Sequence, residues 1–168
     1  FIDAALTPED GFSSLSDATV LFKDASVTDL IIDLRYNGGG LLSVADTMMD
    51  LLAGLTAPGE PSFKIQVNDQ HPDFNEDEDN WGLFDELPET FSPIRIAFIT
   101  SRSTASASEL IINGLDPHIE VVMVGDNTFG KQVGQGRWDM HEDLEGLERE
   151  DCDVALRLTA FEIVNGEN

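Results

Sequence analysis

Residues 30–40 read LIIDLRYNGGG, and this stretch decides the fold. The compact apolar run at 30–34 predicts a buried strand, because strands covered on both faces are apolar along their whole length. The run ends at 37–40, a turn signal rich in glycine. Apolar residues at helical spacing over 41–52 then predict a helix that stops at Gly54. A buried strand, a glycine turn and a helix in this order indicate an α/β fold.

The alternation of strands and helices continues along the chain. Helical spacing and compact apolar runs predict six further elements: helices over about 12–25 and 105–115, and strands over 63–67, 94–100, 121–124 and 154–164. Like 30–34, the run at 121–124 is predicted to be buried. Helices that alternate with buried strands predict a layered sheet with flanking helices.

Two acidic segments interrupt this pattern. Residues 69–93 and 139–153 are rich in Asp and Glu, and we interpret them as surface loops outside the core. The chain as a whole, residues 1–168, has the length of a single domain, which we interpret as one truncated core. Its one cysteine, Cys152, gives no internal disulfide.

The protein is strongly acidic. Its 33 Asp and Glu residues against 9 Lys and Arg residues give a net charge of -24. Such a surface repels nucleic acid phosphates and anionic lipids, so neither is an expected partner. The sequence contains no run of about 18 apolar residues, so no membrane span is expected.

Three turns rich in glycine or serine each follow a predicted strand, at 37–40, 101–108 and 125–136. In open α/β sheets, ligand sites collect at the carboxyl ends of the strands, so we expect the three turns to lie together. Ser106 lies in the middle turn, at the start of a predicted helix. Backbone amides and a helix N-terminus favour developing negative charge, as a nucleophile beside an oxyanion hole requires.

The general base for such a nucleophile is the next question. The three histidines, His71, His118 and His141, lie outside the glycine turns. Lysines are scarce, and Lys131 is the only one in such a turn. A lysine can act as a base where desolvation favours its uncharged form. We therefore interpret Lys131 as the candidate base for Ser106.

Three motifs resemble those of the C-terminal processing (tail-specific) serine proteases. Residues 33–40 are similar to the family's Asp-Leu-Arg-x-Asn-x-Gly-Gly segment, residues 103–109 to its nucleophile segment and residues 125–131 to its lysine segment. The motifs occur in the family's order. The family places its lysine 25 residues after the nucleophile, which matches Lys131 and Ser106 rather than the serines at 101, 103 or 108.

The resemblance also implies roles for neighbours of this pair. In some family members a Gln four residues after the lysine orients it, which matches Gln135. In others a role has been assigned to a Glu three residues after the nucleophile, which matches Glu109. The oxyanion hole would consist of the Ala107 amide with one amide from Gly39 or Gly40. The implied fold is the spiral of ββα units found in the Clp protease and crotonase group.

The implied activity is hydrolysis of polypeptides near their C-termini, through an acyl-enzyme formed on the serine. By resemblance, the reaction needs no metal or cofactor, and the protein is exported to a periplasm or to the outside of the cell. The family's PDZ domain, and its strand ahead of the first helix, are expected to be absent or incomplete here. The oligomeric state stays open.

Structural roles compete with catalytic ones at several of these positions. Ser106 and Glu109 also match a capping box, and we assign Glu109 to that structural role. Arg35 is expected to pair with Asp33, although its guanidinium could instead reach a peptide carboxylate. Asn37 is expected to brace its own turn.

Four alternatives use these segments differently. Residues 125–131 nearly match a nucleotide-binding P-loop, but Gln132 stands where that motif has Ser or Thr. Asp and Asn alternate over 73–79 as in a calcium loop, but the loop's glycine is absent. A non-catalytic peptide- or ligand-binding domain on the same fold would keep the cleft without cutting. A crotonase-like acyl-thioester enzyme would use similar turns, but it has no use for a Ser-Lys pair.

Overall fold

The computed structural model describes residues 8–139 and 155–167. Its helices are α1 (Pro8–Asp24), α2 (Leu42–Ala53), α3 (Pro72–Glu76) and α4 (Ala107–Leu115), with a 3₁₀ turn at Glu78–Asn80. Its strands are β1 (Asp29–Asp33), β2 (Pro61–Gln66), β3 (Trp81–Leu83), β4 (Arg95–Thr100), β5 (Glu120–Gly125), β6 (Val133–Asp139) and β7 (Ala155–Asn165). In this part of the chain, no helix is long and apolar enough to cross a bilayer.

Each helix and strand predicted from the sequence is present, with shifted ends. The helix predicted from residue 105 begins at Ala107, because Ser106 has a φ of 58°, which a right-handed helix excludes. The acidic loop predicted at 139–153 begins with the last residue of β6, and the rest of it lies outside the described residues.

Three parallel strands form the first sheet, in the order β1-β4-β5. At one end of this sheet Asp29 pairs with Arg95, and Arg95 pairs with Glu120. The helices α2 and α4 follow β1 and β4 in the chain and pack against each other. Because parallel strands point the same way, the turns after β1, β4 and β5 all begin at the opposite edge of the sheet.

The second sheet is antiparallel, in the order β3-β2-β7-β6. Its strand β6 begins just after Lys131 and pairs with β7, starting at Val133 opposite Glu162. Beyond this pair, the N–H of Ile163 donates to the carbonyl oxygen of Gln132 at 2.9 Å. The second sheet therefore anchors the C-terminal side of the turn that carries Lys131.

The core lies between the parallel sheet and the two helices that follow its strands. Met49 of α2, Leu115 of α4, and Ile96 and Phe98 of β4 are 0% exposed. They belong to one apolar cluster that includes residues of both sheets. This rigid base holds the ends of β1, β4 and β5 at fixed positions relative to one another.

The prediction that residues 69–93 lie outside the core is wrong for part of that segment. Phe84 is 1% exposed and packs into the core cluster, and Thr90 is 0% exposed. The Thr90 hydroxyl donates to the carbonyl oxygen of Asp50 at 3.1 Å, and the N–H of Phe91 donates to that of Leu51 at 3.1 Å. The segment's acidic composition hid the few residues that fasten it to α2.

The outer face of the parallel sheet is open in the described residues. The apolar runs of β1 and β5 predicted strands buried on both faces, and this is wrong for their outer faces. Ile31 is 72% exposed, and Val122 and Val124 are 40% and 53% exposed. An apolar run in one segment does not tell how many neighbours cover it, because that depends on the whole topology.

Candidate active site

Ser106 lies at the turn between β4 and α4 in a strained backbone conformation. Its φ and ψ are 58° and -122°, the angles of the first central residue of a type II′ turn, which glycine favours. A residue with a side chain costs of order 1–3 kcal/mol there, and such strain clusters at functional sites. Helix α4 begins with Ala107. Ser106 therefore stands at the amino end of α4, where helix amides have no intrahelical acceptor.

The three turns predicted to lie together do so, and Thr104 connects them. Its hydroxyl donates to the carbonyl oxygen of Leu34 at 2.7 Å, at the end of β1. Its own carbonyl oxygen accepts from the N–H of Phe129 at 2.8 Å, in the Lys131 turn. Thr104 is 0% exposed. Hydrogen bonds of this buried residue therefore join the middle turn to the end of β1 and to the Lys131 turn.

Lys131 and Ser106 are brought side by side, 25 residues apart in the chain, with Lys131 Nζ 3.5 Å from Ser106 Oγ. This distance is long for a hydrogen bond, as is common before a substrate binds. Neighbouring serines have other partners: Ser108 Oγ donates to the carbonyl oxygen of Asn37 at 3.2 Å, and Ser101 Oγ donates to that of Arg35. Among the ion pairs of the described residues, none involves Lys131.

The Glu109 carboxylate contacts both the Ser106 turn and the Lys131 turn. It accepts the N–H of Ser106 at 2.7 Å, as the predicted capping box requires. It also accepts the N–H of Gly130 at 2.6 Å and that of Lys131 at 2.9 Å. Burial raises the pKa of the Glu109 carboxyl, but hydrogen bonds from the Thr128 hydroxyl and from these amides outweigh it and hold the pKa below its ordinary value.

Gly39 packs directly against Ser106. A Cβ on Gly39 would lie 2.8 Å from Ser106 Cβ and 2.9 Å from Ala107 N, and its φ is +97°. The Gly39 N–H donates to Asn37 Oδ1 at 3.0 Å, so Asn37 braces its turn as predicted. Within the described residues, the N–H groups of Gly40 and Ala107 have no hydrogen-bond partner. Of the two glycine amides predicted for an oxyanion hole, the Gly40 amide is thus the unoccupied one.

Residues 9–167 match the family model described as peptidase family S41. The chain belongs to peptidase family S41. This membership confirms the resemblance to C-terminal processing proteases and favours it over the acyl-thioester alternative. The S41 chain is 33% identical over 106 residues to the tail-specific protease of Haemophilus influenzae. That alignment covers 63% of this chain and 14% of the relative, so the chain spans a small part of the relative's length.

Three solved structures resemble the S41 chain in fold. They are a Bacteroides fragilis protein assigned to the S41 proteases (TM-score 0.76, 23% identity), the photosystem II D1 C-terminal processing protease (0.66, 18%) and a lipoprotein from Streptococcus agalactiae (0.63, 17%). The matches cover 98%, 95% and 95% of this chain, and 41%, 36% and 52% of those chains. The predicted layered α/β fold is therefore confirmed.

Gln135 lies on a strand in this S41 structure rather than in the Lys131 turn. It lies in β6, opposite Thr159 and next to a bulge in the β6–β7 pairing, and its side chain is exposed. No hydrogen bond joins Gln135 and Lys131 in the described part of the chain. The amides of the lysine turn are held by Glu109 instead.

Arg35 forms the predicted ion pair with Asp33 in the S41 chain. Its guanidinium donates to both carboxylate oxygens, with Nε 3.0 Å from Oδ1 and Nη2 2.6 Å from Oδ2. These hydrogen bonds, with one from the Arg35 N–H, lower the pKa of the Asp33 carboxyl to about 2. Both side chains are about half exposed. The guanidinium is thus paired within its own turn.

The described histidines lie away from Ser106. His118 packs edge-on against Phe84, with ring centroids 4.9 Å apart, and His71 is exposed at the start of α3. His141 lies outside the described residues. Lys131 is therefore the candidate base that the described geometry supports.

A cavity of about 430 Å³ adjoins the Ser106–Lys131 pair of the S41 chain. Both residues line it, and so does Glu109. The apolar part of its wall comes from α4, β5, β6 and β7: Leu110, Ile112, Val121, Met123, Val133 and Ile163. Sequence reasoning missed this pocket, because its wall assembles from four segments. The apolar residues of β5 were the only part of this wall that the sequence marked as apolar and buried, and they predicted a strand rather than a pocket.

The P-loop alternative fails on the structure, and the calcium alternative finds no support in the described residues. The residues after Lys131 enter strand β6 rather than the helix that binds phosphates in a P-loop, so nucleotide binding is wrong. In the calcium-like segment, Asp77 Oδ1 accepts the N–H of Asp79 at 3.1 Å and caps the 3₁₀ turn. Among the described residues, no group of His, Cys, Asp or Glu is arranged to hold a metal ion.

Proposed function

We propose that this S41 chain is the catalytic core of a serine endopeptidase, with Ser106 as nucleophile and Lys131 as general base. The carrying observation is the 3.5 Å approach of Lys131 Nζ to Ser106 Oγ, on an elbow with positive φ at the amino end of α4. A nucleophile, an adjacent base and unpaired amides are the parts that acyl transfer needs.

The proposed reaction begins with an extended polypeptide across Ser106. Uncharged Lys131 takes the hydroxyl proton as Ser106 Oγ attacks the scissile carbonyl carbon. The N–H groups of Ala107 and Gly40 donate to the oxyanion. Protonated Lys131 then gives its proton to the leaving amine, and a water molecule hydrolyses the ester on Ser106. The reaction uses no metal or cofactor.

The cavity beside the pair supports a preference for an apolar substrate side chain next to the scissile bond. A charged side chain would lose hydration against the apolar part of the wall, whereas an apolar one would bury its surface there. Lys131 lies at the wall, so a substrate side chain in the cavity would also shield Nζ from water and favour its uncharged form.

Cleavage near the C-terminus, and export to a periplasm or outside the cell, are proposed from the relatives. One relative is named a tail-specific protease and one solved structure a C-terminal processing protease. Another solved structure is titled a lipoprotein. These names belong to those proteins and support the proposals for this one.

The test uses the full-length protein with an unstructured polypeptide substrate, and fragments are followed by mass spectrometry. Ser106→Ala and Lys131→Arg are each expected to lower kcat/KM by about 1,000-fold or more, because the two residues act as a unit. Arginine keeps the positive charge but cannot give up its proton, so Lys131→Arg tests the base itself. Ser103→Ala, at an exposed serine of the same turn, is the matched control and should cleave normally.

Two results would contradict the proposal. Cleavage that survives in Lys131→Arg would exclude the lysine as base. A wild-type protein without any cleavage would favour the non-catalytic peptide- or ligand-binding domain on the same fold, and retained peptide binding would then identify that domain.

A further inference from the structure

One carboxylate bridges the two turns of the Ser106–Lys131 pair. Glu109 Oε2 accepts the N–H of Ser106 at 2.7 Å and the N–H of Lys131 at 2.9 Å. Glu109 Oε1 accepts the N–H of Gly130 at 2.6 Å. A helix cap requires only the first of these bonds. The other two cross 21 and 22 residues of chain, to the turn of the proposed base.

The lysine turn depends on this carboxylate at its centre. Its two ends are held elsewhere, by the Phe129 N–H bond to Thr104 and the Ile163 N–H bond to Gln132. Between these anchors, Glu109 takes the only hydrogen bonds that the amides of Gly130 and Lys131 make within the described residues. Gly130 has a φ of +86°, which aims these consecutive N–H groups at one acceptor.

The Glu109 carboxylate contacts the Lys131 backbone and leaves the amine free. Within the described residues, no ion pair joins Glu109 to Lys131 Nζ, whose polar contact is Ser106 Oγ. A carboxylate that paired with Nζ would favour the charged lysine and oppose its action as a base. Bonding through backbone N–H groups fixes the position of the residue without that direct pairing.

We propose that Glu109 is a positioning residue whose carboxylate fixes the Lys131 backbone against the Ser106 turn and so sets the distance from Nζ to Oγ. The inference rests on the proposed Ser-Lys function. It gives Glu109 a role beyond the helix cap, and it makes Glu109, rather than Gln135, the residue that positions Lys131.

Glutamine cannot replace Glu109 in this arrangement. All three amides donate, and a carboxamide has one accepting oxygen and one donating NH₂ group. With its oxygen at the Oε2 position, Glu109→Gln faces an NH₂ group against the Gly130 N–H. With the carboxamide flipped, the NH₂ group faces the N–H groups of Ser106 and Lys131 instead. Either way at least one of the three N–H donors loses its acceptor, and the lysine turn is expected to loosen.

The experiment compares full-length wild type with Glu109→Gln, and with Glu86→Gln as the control at an exposed glutamate away from the site. Steady-state kinetics are measured well below the melting temperature, so the folded fraction is constant. Glu109→Gln is expected to lower kcat by about 100-fold, as an ångström of misplacement does, with KM within about threefold. Hydrogen exchange at the peptide 126–133 should accelerate about tenfold or more, while 95–100 stays protected.

A second variant guards against loss of folding. Thr128→Ala removes one hydrogen bond to the carboxylate and leaves the α4 cap intact, so it should lower kcat by several-fold in the same direction. The inference is overturned if kcat per folded molecule in Glu109→Gln is unchanged, or if exchange at 126–133 is unchanged. If wild type shows no Ser106-dependent cleavage, the proposed function fails. The exchange result then decides the bridge on its own.

Discussion

Asp50 offers a stability experiment whose size follows from its surroundings. It lies on α2, is 7% exposed, and its Oδ1 accepts the N–H of Asp85 at 2.9 Å. Burial, with the nearby carboxylates of Asp46 and Asp85, raises the pKa of Asp50 to about 7, although the Asp85 N–H bond opposes the rise. Asp46 shares this region, and burial with the charge of Asp85 raises its pKa to about 6.

The expected pH dependence follows from the direction of these pKa shifts. A carboxyl whose pKa is higher in the folded state binds its proton more tightly there, so its contribution is fully present below about pH 4 and is lost as pH rises towards 7. For Asp50, a rise from 3.8 to about 7 corresponds to about 4 kcal/mol at about 1.4 kcal/mol per pH unit. Ionised Asp50 is thus a destabilising group above pH 7.

The Asp50→Asn variant removes this charge and keeps an oxygen to accept the Asp85 N–H. We expect its free energy of unfolding at pH 8 to exceed that of wild type by about 2–4 kcal/mol, and by under about 1 kcal/mol at pH 4. Urea unfolding followed by circular dichroism at both pH values measures this. Asp17→Asn, at an exposed position of α1, is the control and should change stability equally at both.

This reasoning is refuted if the difference in free energy of unfolding between Asp50→Asn and wild type is the same at pH 4 and pH 8. Such a result would mean that water reaches the ionised Asp50 carboxylate, either directly or after a movement of the loop around Asp85. A variant less stable than wild type at pH 8 would show that the ionised group is stabilising, and the assigned direction of its pKa would be wrong.

Two further predictions concern the walls of the site. Gly39→Ala should abolish cleavage, because its Cβ would lie 2.6 Å from the Ala105 carbonyl oxygen. Gly59→Ala is the control, because Gly59 also has a positive φ but has open space around it. This control should cost about 1 kcal/mol of stability and leave cleavage intact. Val121→Phe should narrow the 430 Å³ cavity and shift cleavage towards smaller apolar side chains, which product sequencing by mass spectrometry detects. Unchanged cleavage in either site variant would contradict the geometry.

The sequence predicted the elements and the meeting of the three turns, because both follow from local pattern and from strand direction. The apolar run at 30–34 and the glycine turn after it predicted β1 and the loop that reaches Ser106. Because the strands of a parallel sheet run in the same direction, the turns that follow them lie together at one end of the sheet. The proposed pairing of Ser106 with Lys131 came from spacing within a family resemblance, and geometry supports it.

The remaining features depend on contacts between distant segments. The burial of Phe84 and the exposure of Val122 follow from which elements cover them, and neither residue's neighbours reveal this. The bonds from Glu109 to Gly130 and Lys131 cross 21 and 22 residues, so a capping pattern could predict only the local one. Gln135 kept the right spacing but lies on a strand next to a bulge.

The positive φ of Ser106 has a consequence for directed evolution. Glycine would adopt this backbone conformation without strain, so the most essential position proposed for catalysis is also one where losing the side chain relieves the fold. A library screened only for heat resistance should therefore enrich Gly at 106 and return stable, inactive proteins. Screening must therefore select for stability and for activity together, because stability favours Gly at position 106 whereas the proposed activity requires Ser.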